Sequence, residues 1–484
     1  MTVTDALVEW AMAAQYSNLT PETLAKVKQA LLDSTACMVG ASRTEVKQAL
    51  ESFAARLHSS GKAGVLGTSL KLDPRDAAFA NATLANAMDY DDTYEDAGKA
   101  LCHPGATLVA TALAASTLRP ASGQDLLTAL AVGYEVTGRI GESIQPSPET
   151  YVHVWGLNQY LGLGAVMVAS RLLGLDLDTA RHAFGIAGAA ANVPSAWKLN
   201  WDDRSQPLSW QKDMVSWAAE AGLRAALLAE SGFRGCLDIL DGNQGFWRMC
   251  ASDRFDSTRI TEGLGEINRL ANLAFKPYPS CRWTHPILEA FEQAYRESGL
   301  ATDEIAAIEV HTLSELASHF AVAHPKHMMD AEFSVPYTVS MVAQKIPVGP
   351  RWHTAQVRQS PKTHALASKV RVIASAELDR NYFENKQMAA QVIIRDGGNR
   401  DWRGECTRAR GGRERPLSEE EHRRKVAELI DPFLGKGTAD RLRGFIESCE
   451  SEPDFNVGLE GVLDSRTRTA KRPSPAKRGR QKKA

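Results

Sequence analysis

At 484 residues, with 44% hydrophobic and 24% charged residues, the chain exceeds what one hydrophobic core usually supports and reads as two globular domains. Its formal charge of −2 hides a basic terminus: residues 465–484 hold nine Lys/Arg and no acid, which leaves about −11 on the rest and argues against general nucleic-acid binding. No apolar run reaches about 18 residues, the seven scattered cysteines show neither disulfide nor zinc spacing, and MTVTDALVEWAM lacks the basic start of a secretory signal, so a cytoplasmic protein without a membrane span is expected.

Helical signals dominate the first half. Thr20 and Pro21 suit the N-cap and first position of a helix, and Leu24, Val27 and Leu31 follow at helical spacing. The segment NATLANAMDYDDT also reads as helix, which would set Asp89 and Thr93 on one face with Asp92 beside them and turn Asp91 elsewhere. GLGAVMVASRLLGL from Gly162 and TARHAFGIAGAAAN from Thr179 are rich in small residues, as expected of helix backbones in close contact. Met214, Trp217, Ala221, Ala225 and Leu228 form a further apolar stripe that ends near Gly232.

After about residue 268 the texture changes. IAAIEVHTL (305–313), KVRVIA (369–374) and QVIIRD (391–396) are β-branched strand signals, with a helix signal at FSVPYTVSMVAQ between the first two. Ser418 and Glu421 form a capping box, and HRRKVAELIDPFL and GTADRLRGFIESC return the chain to helix. The expected fold is therefore mainly α: an all-helical domain from 1–268 and 397–460, a smaller α+β domain from 269–396, and a disordered basic tail from 461–484.

Several polar groups stand in unusual settings. Asp89, Asp91, Asp92, Thr93 and His103 crowd NAMDYDDTYEDAGKALCHPG, where an imidazole returning to carboxylates suits proton transfer; a solvated helix end is the plainer alternative. No H-x-x-x-H or C-x-x-C spacing accompanies them, so no metal is expected. His153 precedes a small-residue helix and reads either as a core histidine or as a site residue. Lys212, at the start of the Met214 helix, suits an anion held with free backbone N–H groups. KPYPSCRWTH supplies Lys276, Arg282 and His285, with Arg282 able to fork a carboxylate. Tyr337 is either core or a proton donor reaching a pocket.

These segments, together with LLDSTACMVGA (31–41), HVWGLNQYLG, AGLRAALLAESGFRG, LDGNQGF and RGGRERPLSEEEHRRKV, follow an order over about residues 5–445 that resembles the MmgE/PrpD family. Its members include 2-methylcitrate dehydratases, cis-aconitate decarboxylases and iminodisuccinate epimerases. The resemblance implies a helical domain with an α+β lid, a cleft between them, no metal or organic cofactor, and a homodimer. By position it implies a site of Asp89, Thr93, His103, His153, a lysine near Lys212, a residue of the KPYPSC loop, and Tyr337. In the cis-aconitate decarboxylase pattern a histidine stands where this chain has Cys281, which argues against that substrate, and the acidic run departs from the methylcitrate dehydratase pattern.

The implied chemistry is proton abstraction beside a carboxylate of a small hydroxy acid, ending in loss of water. His103 or His153 would be the base, oriented by Asp89. Lys212 and Arg282 would bind carboxylates, and Tyr337 or the other histidine would protonate the leaving hydroxyl. Epimerisation, decarboxylation and a non-catalytic binding role for the basic tail are the alternatives.

Overall fold

The structure is a computed structural model that describes residues 1–57, 61–151, 160–191, 208–210 and 213–464. Thr20 caps helix Pro21–Ala41 by accepting from the Thr23 N–H, with Pro21 in the first turn. Helix Pro104–Leu118 is almost wholly buried and packs against helices Pro74–Asn86, Leu161–Leu173 and Val215–Glu230. Small residues make this crowding feasible. A Cβ at Gly164 would lie 2.1 Å from the Thr137 hydroxyl, and one at Gly222 would lie 2.5 Å from the Ala165 Cβ.

The Val215–Glu230 helix corrects one expectation. Its buried face is Ala219, Gly222, Leu223 and Ala226, whereas Trp217 is 45% exposed. Alanine and glycine fill the tight contact, and the bulky tryptophan is turned outward onto the Phe79 ring, 5.1 Å between centroids. No helix among the described residues is long and apolar enough to cross a membrane.

The α+β part is a four-stranded sheet in the order Val370–Ala374, Ile305–Thr312, Ala390–Asp396, Asp401–Cys406. The first pair is parallel and the others antiparallel, with Val310 opposite both Val372 and Val392. Helix His285–Ser298 covers this sheet, and Gly404 allows the close approach, since a Cβ there would lie 2.0 Å from the Ala290 carbonyl oxygen. The expected boundary at 396 falls inside the last hairpin, so the sheet continues through Cys406. The four-residue connection Gly397–Arg400 carries too little apolar signal to separate a hairpin from a domain exit.

Helices Glu419–Leu434 and Thr438–Glu447 return to the helical part, the first beginning with the Ser418–Glu421 capping box and packing on Pro21–Ala41. A further helix, Phe455–Leu463, follows, so the chain is ordered past residue 460. The rest of the basic tail, residues 465–484, lies outside the described residues.

Candidate active site

The helix Pro74–Asn86 stops before the acidic run. Asp89 takes a left-handed conformation, φ 47°, which aspartate tolerates better than most residues, and the chain then turns into strand Thr93–Asp96. The expected helical face of Asp89 and Thr93 therefore does not form. Three aspartates in four positions are weak helix formers, a signal that could have marked the stop.

The turn gathers the carboxylates differently. Asp91 points inward: both its oxygens accept from the Asn86 side-chain amide at 3.3 Å, and Oδ2 lies 3.6 Å from His103 Nδ1. Asp92 Oδ1 accepts from the Gly105 N–H at 2.8 Å, and Tyr134 donates to Oδ2 at 2.9 Å. Gly105 is required here, because a Cβ would stand 2.5 Å from Ser34 Oγ and 2.6 Å from Asp92 Oδ2. Burial, then the neighbouring Asp91 charge, raises the Asp92 carboxyl to about 7.

Strand Thr93–Asp96 pairs with strand Lys99–Cys102 on one side and Leu273–Ala274 on the other, with Thr93 opposite Ala274. The hairpin delivers His103 next to the aspartates, and the second pairing delivers Lys276. The Lys276 ammonium donates to the Asp89 carbonyl at 2.9 Å and to the Asp89 carboxylate, and lies 3.9 Å from Asp91 and 3.5 Å from His103 Nδ1. Asp89, Asp91 and His103 offer donor atoms within 4.8 Å of one another, a spacing that suits a cation. Lys276 already lies within 4 Å of all three, so these residues fit an internal ammonium better than an added metal.

His103 has a defined orientation. Its Nδ1 lies 3.0 Å from the Asp92 carbonyl oxygen, which accepts from it when Nδ1 carries the proton, and 3.5 Å from the Lys276 ammonium. Nε2 faces Asp89 Oδ1 at 3.7 Å and Asp213 Oδ2 at 3.9 Å. The His103 side chain is 13% exposed, against 1% for Asp89 and 0% for Lys276, so the imidazole is the most accessible of the three. The Thr93 hydroxyl is buried and has no hydrogen-bond partner among the described residues.

Asp91 and Asp213 were missed by sequence reasoning. The expected helix turns Asp91 away, and Asp213, just ahead of helix Val215–Glu230, suits the positive helix end and carries no further signal in the sequence. His153 and Lys212 lie outside the described residues.

Arg282, His285 and Tyr337 take other positions than expected. Arg282 donates to Glu95 at 2.6 Å and to the carbonyls of Arg410 and Ala409, which leaves no fork for a carboxylate. His285 is fully buried, with Nε2 3.1 Å from the Ser280 carbonyl and Nδ1 3.2 Å from Arg282. Burial and then the Arg282 charge hold it well below the ordinary imidazole range, so it is neutral with both nitrogens engaged. The Tyr337 hydroxyl donates to the Trp352 carbonyl, the core alternative, and burial raises its pKa. A cavity of about 570 Å³ is lined by Glu95, Asp96, Arg282, Arg408 and Arg413, and not by Asp89, His103 or Lys276.

Residues 5–258 match the MmgE/PrpD N-terminal domain and residues 278–451 match the MmgE/PrpD C-terminal domain. Cis-aconitate decarboxylases from Mus musculus and Homo sapiens are each 26% identical to this chain, covering 94% of it and 92% and 93% of their own lengths. A cis-aconitate decarboxylase from Aspergillus terreus is 25% identical, covering 78% of this chain and 80% of its own.

Proposed function

This chain belongs to the MmgE/PrpD family, and from that premise we propose that it is a cofactor-independent lyase of small di- or tricarboxylic acids, working by proton transfer at the carbon beside a carboxylate. The observation that carries the reading is His103, its Nδ1 against a backbone carbonyl and its Nε2 turned to two carboxylates, with a buried lysine beside the ring. Nε2 takes the substrate proton, and Asp89 and Asp213 stabilise the imidazolium that forms. The charge left on the substrate carboxylate as an enediolate needs a donor, a role that suits the Thr93 hydroxyl, which is buried without a hydrogen-bond partner among the described residues. When a hydroxyl on the next carbon departs with its bonding electrons and takes the proton from His103, the products are an alkene acid and water.

The names of the relatives favour a second ending, in which His103 enters as the imidazolium between Asp89 and Asp213, a carbon–carbon bond breaks, CO₂ leaves, and the carbanion takes the Nε2 proton, leaving the neutral imidazole. Proton NMR in deuterated buffer, with citrate-like, aconitate-like and hydroxydicarboxylate acids, separates the endings. New vinyl signals from a hydroxy acid mark elimination, loss of one carboxyl marks decarboxylation, and deuterium uptake alone marks epimerisation. Absence of all three, for a protein with a normal melting transition, sinks the proposal. His103→Ala is expected to abolish turnover while changing stability by less than about 2 kcal/mol, whereas Asp89→Asn is expected to abolish turnover and also to cost about 3–5 kcal/mol, because it removes the charge paired with the buried Lys276.

A further inference from the structure

The hairpin that ends at His103 is gripped at its tip by the α+β part of the molecule. Its strands, Thr93–Asp96 and Lys99–Cys102, run from the acidic turn to the tip and back to His103. At the tip, Arg408 donates to the Ala97 carbonyl at 2.7 Å and Lys386 pairs with Asp96. Gly98, φ 100°, leaves room for this grip, since a Cβ there would lie 2.4 Å from Arg408 Nη1.

Lys99 makes the contact with the least ordinary chemistry. It is buried, yet among the described residues its ammonium pairs with no carboxylate at salt-bridge distance. It lies instead over three rings, 4.5 Å from the centroid of Tyr151, 5.2 Å from Tyr382 and 5.7 Å from Phe383. Tyr151 belongs to the helical part, whereas Tyr382 and Phe383 belong to helix Ala376–Asn385 of the α+β part. The Tyr151 and Tyr382 hydroxyls meet at 3.1 Å, and both rings pack on Trp283, two residues beyond Cys281. Burial lowers the Lys99 ammonium to about 8, with Asp96 opposing that shift and Lys386 adding to it. A desolvated cation held mainly by ring faces is sensitive to where the rings stand.

We propose that Lys99 is a positioning residue: its seat on Tyr151, Tyr382 and Phe383 fixes the hairpin against the α+β part and thereby holds His103 and Asp92 in register. The functional half of this inference rests on the proposed proton transfer; the structural half does not.

The test uses the full-length protein and the variants Lys99→Met, Lys99→Arg and Phe383→Leu, with amide hydrogen exchange followed by mass spectrometry and with steady-state kinetics. Lys99→Met is expected to speed exchange across 93–103 by about tenfold, with little change in helix Leu161–Leu173, and Phe383→Leu to do so less. Lys99→Arg, which keeps a cation over the rings, is expected to restore slow exchange. In the kinetics, Lys99→Met lowers kcat by about tenfold and leaves KM within about threefold, because the base is displaced while the substrate contacts remain. Unchanged exchange over 93–103 in both Lys99→Met and Phe383→Leu overturns the proposal, as does a loss in Lys99→Arg equal to that in Lys99→Met. If the wild-type protein turns over none of the acids, the proposed function fails and the exchange measurement still decides the role of Lys99.

Discussion

Asp92 joins stability to pH at a single residue. Its carboxyl sits at about 7 in the fold against an ordinary value of 3.8, so between those values the folded chain keeps a proton that the unfolded chain has released. Its contribution is therefore present in full below about pH 4 and is lost as the pH rises through 7. Three units correspond to at most about 4 kcal/mol. Asp92→Asn can still accept from Gly105 and meet Tyr134, and it does not ionise. Its melting temperature relative to wild type is expected to rise from pH 4.5 to pH 8.5; a constant difference across that range would show that the carboxyl stays ionised. Asp91 and Asp213 show the limit of reading at this scale, because a helical reading of the acidic run turns Asp91 away and only the ring of His103 beside them gives either carboxylate a role.

At the scale of elements, the returning helix Glu419–Leu434 is fastened to helix Pro21–Ala41 by a buried ion pair. Lys425 pairs with Asp33 at 2.7 Å, His422 adds a contact at 3.1 Å, and Lys425 also donates to the Tyr90 carbonyl at 2.7 Å, inside the acidic turn. Lys425→Met leaves the buried Asp33 with His422 alone and is expected to cost about 3–5 kcal/mol in denaturant unfolding. The double variant Asp33→Leu/Lys425→Met is expected to recover most of that loss, since no uncompensated charge remains. No recovery would mean that the helix contact depends on packing rather than on the pair. These helices were legible from the capping box, the Thr20–Pro21 start and the apolar spacing, because such signals are local. The stop at Asn86 is signalled only by the weak helix formers Asp89, Asp91 and Asp92 against an alanine-rich approach, and the pairing of Thr93–Tyr94 with Leu273–Ala274 that follows it is long-range.

For the whole molecule, the helical part and the α+β part meet at one hairpin whose base carries the candidate base and whose tip is held by Arg408 and Lys386, while the returning helix Glu419–Leu434 reaches the turn ahead of it through Lys425 and the Tyr90 carbonyl. The basic residues beyond 464 are outside that arrangement in sequence. Truncation after Asp464 is expected to leave the melting temperature unchanged and any turnover intact, while weakening retention on an anionic column matrix. A truncated protein that loses activity would tie the tail to the site.

The sequence by itself determined the mainly helical class, the three strands near 305–313, 369–374 and 391–396, the acidic run with Asp89 and His103, and Lys276 as a separate loop candidate. Periodicity, caps and residue chemistry are properties of neighbours along the chain. Only the tertiary structure decided that Asp91 and Asp213 face His103, that Lys276 fills the space among the acids, and that Arg282, His285 and Tyr337 are held by Glu95 or by backbone carbonyls. Which polar group is already paired depends on contacts between residues far apart in the chain, and burial makes those pairings costly to exchange for a ligand.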